Sequence, residues 1–230
     1  MAATVCAMPV PTVADAGSGV RAGRSRWLVP VGLVLALALL TVAVVTHSWV
    51  TVLDAGVAGS VPRHGTFPAL DRLATVVTTV AQPAANVAVA FAVGVLVAAR
   101  TRSWRSLVPP VAALGLLTAT VLLGKTLISR PGPPGSEVQA DWGYFPSGHT
   151  TSALVCVGVV ALTVAALRPR WRRRALVLTG AWTLLVGWGL VWKHFHWVSD
   201  VVAGILLGTL ILWLTFARPP RSLTPAPPRT

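Results

Sequence analysis

Apolar positions in this chain fall in long unbroken runs separated by short polar stretches. A bilayer-spanning helix needs about 20 mostly apolar residues. Six stretches meet that length: Trp27–Thr46, Thr79–Ala99, Leu107–Leu127, His149–Leu167, Ala175–Trp192 and Trp197–Phe216. None shows the period-two alternation of a barrel strand. The pattern predicts an all-α fold, a polytopic membrane bundle of six transmembrane helices over residues 27–217. A mostly disordered tail is expected over 1–26, most clearly over 1–20, and a Pro-rich one (RPPRSLTPAPPRT) over 218–230. The first run exceeds the roughly 7–15 residues of a signal-peptide core and lacks a small-residue cleavage site, so it reads as an uncleaved anchor. Phe67–Thr78 reads as a short helix lying on the membrane surface ahead of the second span.

Composition sharpens this picture. The 230 residues are 54% apolar and 11% charged, with a mean hydropathy of +0.73. Soluble domains carry roughly 25% charged residues, so an ordinary water-soluble domain and a disordered chain are both excluded. Two cysteines, Cys6 and Cys156, exclude a disulfide scaffold. A net charge of +13 would point to nucleic acid in a soluble protein, but the placement of the cations argues against that. Arg21, Arg24 and Arg26 precede span one; Arg100, Arg102 and Arg105 join spans two and three. Arg168, Arg170, Arg172, Arg173 and Arg174 join spans four and five; Arg218, Arg221 and Arg229 follow span six. Six crossings put all of these on one side, which the positive-inside rule makes the cytoplasm, together with both termini. The charge reports membrane topology and attraction to anionic lipid.

The opposite, extracytoplasmic side carries the chemistry. It holds Lys125, Arg130 and Lys193, the acids Asp54, Asp71, Glu137, Asp141 and Asp200, and all five histidines. Trp49, Trp142, Trp192 and Trp197 lie near this boundary and read first as an interfacial aromatic belt. Three polar clusters stand out: Lys125–Pro131 (KTLISRP), Pro146–His149 (PSGH) and His196–Asp200 (HWVSD). Lys125 lies 18 residues past Leu107, about 27 Å along a helix. His149 lies 19 residues before Arg168, Lys193 lies 19 after Arg174, and Asp200 lies 18 before Arg218. The four counts agree on one depth, so spans three to six can gather these groups around a single polar pocket. A Lys and an Arg suit a phosphate. Ser147 can cap a helix whose free N–H groups favour an anion, and Gly148 lets backbone approach a ligand. His196 and Asp200 share a helical face, where a carboxylate can fix the imidazole tautomer. Each cluster alone has a bland reading: a snorkelling Lys, a surface Arg, a plain N-cap, an interfacial His.

Taken together, their order and spacing resemble the type 2 phosphatidic acid phosphatase (PAP2) superfamily of membrane lipid phosphatases, over roughly Thr79–Phe216. The resemblance implies hydrolysis of a lipid phosphate or polyprenyl diphosphate at the outer leaflet of the cell membrane, with no metal or cofactor. It implies that His196 attacks phosphorus to form a phosphohistidine, Asp200 orients it, and His149 is the acid and then the base. Lys125, Arg130, Ser147 and the Gly148 N–H would hold phosphate oxygens. Two positions depart from the family pattern. An Arg-Pro is expected seven residues after Lys125, where Gly132 stands, with Arg130 at plus five. An Arg is expected six residues before His196, where Leu190 stands; Lys193 is the candidate substitute. The expected partners are an amphiphilic phosphorylated lipid and the bilayer. The competing readings are a non-catalytic lipid-phosphate-binding or scaffold protein, favoured by the lost arginines, and a transporter, which would show inverted repeats that this sequence lacks.

Overall fold

The structure, a computed structural model, describes residues 13–62, 64–136 and 142–217, with side chains from Trp27 onward. Arg63, Glu137, Asp141 and the Pro-rich tail lie outside the described residues.

Eight α-helices follow one another among the described residues, without a strand: α1 Val13–Val45, α2 Trp49–Ser60, α3 Pro68–Val80, α4 Pro83–Thr101, α5 Val108–Ile128, α6 Gly148–Leu167, α7 Arg172–Trp192 and α8 Val198–Phe216. Six segments are long and apolar enough to cross a membrane: Trp27–Val45, Pro83–Thr101, Trp104–Ile128, Gly148–Leu167, Pro169–Trp192 and Val198–Phe216. They match the six expected runs to within a few residues. The expected surface helix is present as α3. α2 was not anticipated; Ser48 opens it by accepting a hydrogen bond from the Val50 N–H. α1 runs back to Val13 and so covers residues 13–20, which the composition predicts to be disordered. Adding residues to an existing helix costs far less than nucleating one, and the membrane span supplies the nucleus. Residues 1–12 lie outside the described residues.

Local chemistry fixes the helix ends. Pro68 and Pro83 occupy the first turns of α3 and α4, where a missing N–H costs nothing. α7 closes with the Phe195 N–H on the Leu190 carbonyl at 2.8 Å and the His194 N–H on Val191 at 3.0 Å, with His194 left-handed at φ 54°. This reversal sends Phe195 and His196 back toward the bundle.

α6 is the hub. Of its spanning residues 61% are buried, against 11% for α1. It packs against α4, α5, α7 and α8, while α1 lies along α8 and α3 along α7. In lipid, helices associate through close packing rather than hydrophobic transfer, so small residues mark the interfaces. Gly158 faces Leu212, Gly208 faces Leu154, and Gly187 faces Val201. The core between α5, α6 and α8 is built from Leu114, Leu117, Val121, Val155, Val159, Leu207 and Ile211. The Arg-rich connections after α4 and α6 lie at one end of the bundle. Lys125, the start of α6 and the α7–α8 turn lie at the other.

Candidate active site

Four segments meet at that second end. Lys125 stands in the last turn of α5, Gly148 and His149 in the first turn of α6, and Phe195 and His196 in the α7–α8 turn. Trp142 and Tyr144 come from the loop before α6. All seven residues line a single chamber of about 380 Å³, whose remaining wall is Pro83, Val87, Leu117, Thr118, Val121, Leu122 and Ser152. The two imidazoles therefore face a common cavity.

Among the described residues of the loop between α5 and α6, Gly143 is packed closely against the backbone at the end of α5. Gly143 adopts φ 84°, and a Cβ there would lie 2.7 Å from the Lys125 carbonyl oxygen and 2.8 Å from Ser129 Cα. Both the conformation and the approach require glycine. In return the Gly143 carbonyl accepts the Lys125 ammonium at 2.8 Å, and the Tyr144 N–H bonds the Arg130 carbonyl at 3.0 Å. The Lys125 ammonium also lies 5.9 Å from the centre of the Tyr144 ring, which meets the His196 ring edge-on at 5.7 Å.

His196 is 7% exposed. Its Nδ1 lies 3.2 Å from Oδ2 of the fully buried Asp200, leaving Nε2 as the ring nitrogen away from the carboxylate. Asp200 Oδ2 also accepts the Trp197 N–H at 3.2 Å, and Asp200 Oδ1 receives Arg130 Nη1 at 2.5 Å. The start of α6 presses on α8: the Ser147 N–H bonds the Asp200 carbonyl at 3.0 Å, and Gly204 leaves room for the Ser147 backbone. In the first turn of α6 the Thr150 N–H is capped by Ser147, while those of Gly148 and His149 have no carbonyl partner within the helix, and Gly148 brings that turn to the chamber wall.

Three of the residues predicted to hold phosphate are not brought to the chamber. Ser147 is fully buried, and its hydroxyl is used in capping, accepting from the Thr150 N–H at 3.3 Å and bonding the Thr150 hydroxyl at 3.0 Å. Arg130 is 8% exposed and engaged from two sides: Nη2 binds Asp54 at 2.7 Å, and Nη1 binds Asp200 and the Ser199 hydroxyl, the latter at 2.7 Å. Its guanidinium packs 5.2 Å from the Trp197 ring centre. Lys193, the candidate substitute for the missing arginine, lies outside the chamber wall. It is the C-cap of α7, and its ammonium lies 5.5 Å from the Phe195 ring centre. Leu190, which stands where the arginine was expected, is fully buried in an apolar cluster with Val77, Ala81, Ala153 and Val186.

Two of the expected belt tryptophans also link separate elements. Trp192 Nε1 donates to Asp71 at 2.8 Å, and Trp197 Nε1 donates to the Pro131 carbonyl at 2.9 Å. Asp71, outside the spans, is held below its ordinary carboxylate range, chiefly by that indole bond and then by the Gly65 N–H. Among site residues the sequence pattern missed Asp54, Gly143, Tyr144 and Phe195. Asp54 carried a usable signal, as a single carboxylate within an apolar stretch (WVTVLDAGV).

Comparison with known proteins places this arrangement. The PAP2 superfamily model matches residues 106–223, which include every chamber residue contributed by α5, α6 and the α7–α8 turn. The chain belongs to the PAP2 superfamily. It is 30% identical over 121 residues to a lipid A 1-phosphatase of Porphyromonas gingivalis; the match takes in 50% of this chain and 25% of that protein. The chain thus spans about a quarter of the length of this curated relative. In fold it is similar to a transmembrane PAP2-type phosphatidylglycerolphosphate phosphatase from Bacillus subtilis, with a TM-score of 0.72, 24% identity and coverage of 81% of this chain and 93% of that one.

Proposed function

We propose that this protein is an integral membrane phosphatase that hydrolyses a lipid phosphate or polyprenyl diphosphate at the outer leaflet, through a phosphohistidine intermediate. The observation that carries the reading is the single chamber shared by His149, His196 and Lys125, with Asp200 behind His196. Beyond Lys125, the wall from α4 and α5 is apolar except for Thr118 and suits an alkyl chain.

In the first step His196 Nε2 attacks phosphorus, and the bond from phosphorus to the leaving oxygen breaks. His149, protonated at the start, gives its proton to that oxygen. Asp200 accepts from Nδ1, fixing the tautomer and balancing the positive charge that develops on the ring. Lys125 and the Gly148 and His149 N–H groups at the start of α6 stabilise the phosphoryl oxygens. In the second step His149 takes a proton from water, the water oxygen bonds phosphorus, and the phosphorus–nitrogen bond breaks to release phosphate. The Arg-rich end of the bundle faces the cytoplasm by the positive-inside rule, which puts the chamber at the extracytoplasmic surface.

One observation favours a second reading, a non-catalytic lipid-phosphate-binding protein of the same fold. Arg130 is occupied by carboxylates and Leu190 is buried, so Lys125 is the one cationic side chain in the described chamber wall. Turnover decides between the two. Purified full-length protein in detergent micelles is expected to release phosphate from phosphatidate or farnesyl diphosphate without added metal, and His196→Ala and His149→Ala are expected to abolish release while remaining folded. Binding of these lipids without any phosphate release would establish the second reading.

A further inference from the structure

Beneath the His196–Asp200 pair lies a buried ionic cluster that reaches outside the region matched by the family. Asp54 stands on α2, far from residues 106–223, and is 3% exposed. Its Oδ2 receives Arg130 Nη2 at 2.7 Å and the Ser199 hydroxyl at 2.5 Å. Its Oδ1 receives the Ser199 backbone N–H at 3.0 Å. That N–H belongs to the first turn of α8, the turn that carries Asp200. Asp54 is therefore linked to Asp200 twice, through the Arg130 guanidinium and through the α8 backbone.

A buried ion cluster is a poor way to gain stability, because desolvation opposes the attraction and apolar packing often serves as well. The charge count gives it a different use. Arg130 and Asp200 alone would form a neutral pair, and the imidazole would feel little of the carboxylate. With Asp54 sharing Arg130, two carboxylates face one guanidinium, and the cluster keeps one net negative charge behind His196. The other titratable groups around His196 are Lys125, His149 and Tyr144 on the chamber side and His194 on the side of Asp54, and none of these four supplies a negative charge.

We infer that Asp54 is a positioning residue for the proposed reaction, holding Arg130 and the first turn of α8 so that Asp200 both orients His196 and keeps its charge available to the ring. The inference rests on the proposed phosphatase reading. It also explains why Arg130 is not a phosphate ligand in this chain: its charge is used beneath the chamber rather than within it.

The test compares charge-matched variants of the full-length protein in detergent micelles, with phosphatidate as the probe. Asp54→Asn removes the net negative charge and is expected to lower kcat by between about tenfold and a hundredfold. KM should stay within about twofold of wild type, because Asp54 does not line the chamber. The double variant Asp54→Asn with Arg130→Gln restores the net charge of the cluster and is expected to recover kcat at least severalfold over the single variant, even where its melting temperature is lower. A purely structural role predicts the reverse, activity that follows melting temperature, with the double variant no better than the single. That order, or a kcat for Asp54→Asn equal to wild type, overturns the inference. Should Asp54→Asn fail to fold, Asp54→Glu, which keeps the charge, takes its place against the Arg130-retaining wild type and is expected to hold kcat within about tenfold; a folded Asp54→Glu that loses about a hundredfold or more would overturn it.

Failure of the phosphatase reading is distinguishable. If wild type releases no phosphate, the ¹⁵N spectrum of histidine-labelled protein still reports the His196 tautomer, assigned with His196→Gln. The proton is expected on Nδ1 in wild type and divided between the two nitrogens in Asp54→Asn. An unchanged spectrum overturns the positioning role whatever the reaction.

Discussion

Asp200→Asn is the sharpest perturbation of the site, because it keeps the shape of the side chain and changes only what its two ends can do. In the native chain both oxygens accept: Oδ1 from Arg130 at 2.5 Å, Oδ2 from His196 Nδ1 and the Trp197 N–H, each at 3.2 Å. An asparagine must point its NH₂ at one of these sets. Facing His196, it forces Nδ1 to accept, which moves the ring proton to Nε2 and removes the lone pair that attacks phosphorus in the proposed reaction. Facing Arg130, it sets donor against donor and leaves a guanidinium with Asp54 as its remaining carboxylate. Each lost bond to a charged group costs about 1.5–3 kcal/mol of stability, so the variant should melt lower yet stay folded. Loss of the correct tautomer in an Asp–His pair costs about 10⁴ in kcat, equivalent to about 5.5 kcal/mol of transition-state stabilisation. The assay is phosphate release by full-length protein in micelles, normalised to folded protein, with KM measured in parallel. A kcat within about tenfold of wild type would refute the assignment of Asp200.

Other outcomes follow from the same geometry. Lys125→Gln should lower kcat/KM by about a hundredfold as the chamber loses its cation, whereas Lys193→Ala should stay within about twofold; equal effects would put Lys193 back at the phosphate. Gly143→Ala must hold a left-handed φ and place a methyl against the Lys125 carbonyl, so it should lose about 2 kcal/mol or more in thermal unfolding and displace Lys125; a wild-type melting temperature would contradict this. Asp71 ties α3 to Trp192 as a carboxylate with a lowered pKa. Its contribution is present above the ordinary value of 3.8 and is lost as pH falls through the lower folded value. Asp71→Asn should therefore melt below wild type at pH 7, and the gap should close in acid; a gap that widens in acid would reverse the sign.

The spans were legible because a membrane helix must satisfy its backbone internally and present an apolar surface, so length and hydropathy alone bounded them. The convergence of Lys125, Gly148, His149 and His196 was legible for a related reason: residue counts from the Arg-rich ends translate directly into depth. What the sequence could not show was direction around the helix and through the loop. Arg130 sits in a Pro/Gly-rich segment with no period to aim it, and its inward turn is set by partners distant in sequence, Asp54 and Asp200. Lys193 shared a nominal face with position 190, but the left-handed turn at His194 ends that face one residue later. α2 is too short for a span and too apolar to read as a loop, so the carboxylate it delivers to the site went unrecognised. Ser147 was correctly read as a cap, its oxygen accepting from the Thr150 N–H and hydroxyl.

The central claim is that His196 becomes covalently phosphorylated within a chamber it shares with His149. The most direct measurement quenches turnover of a ³²P-labelled lipid phosphate in alkali, where phosphohistidine survives, and maps the label on the protein. The account predicts label on the peptide carrying His196 and none in His196→Ala, which should also be inactive. Label on another residue, or sustained turnover in His196→Ala, would contradict it.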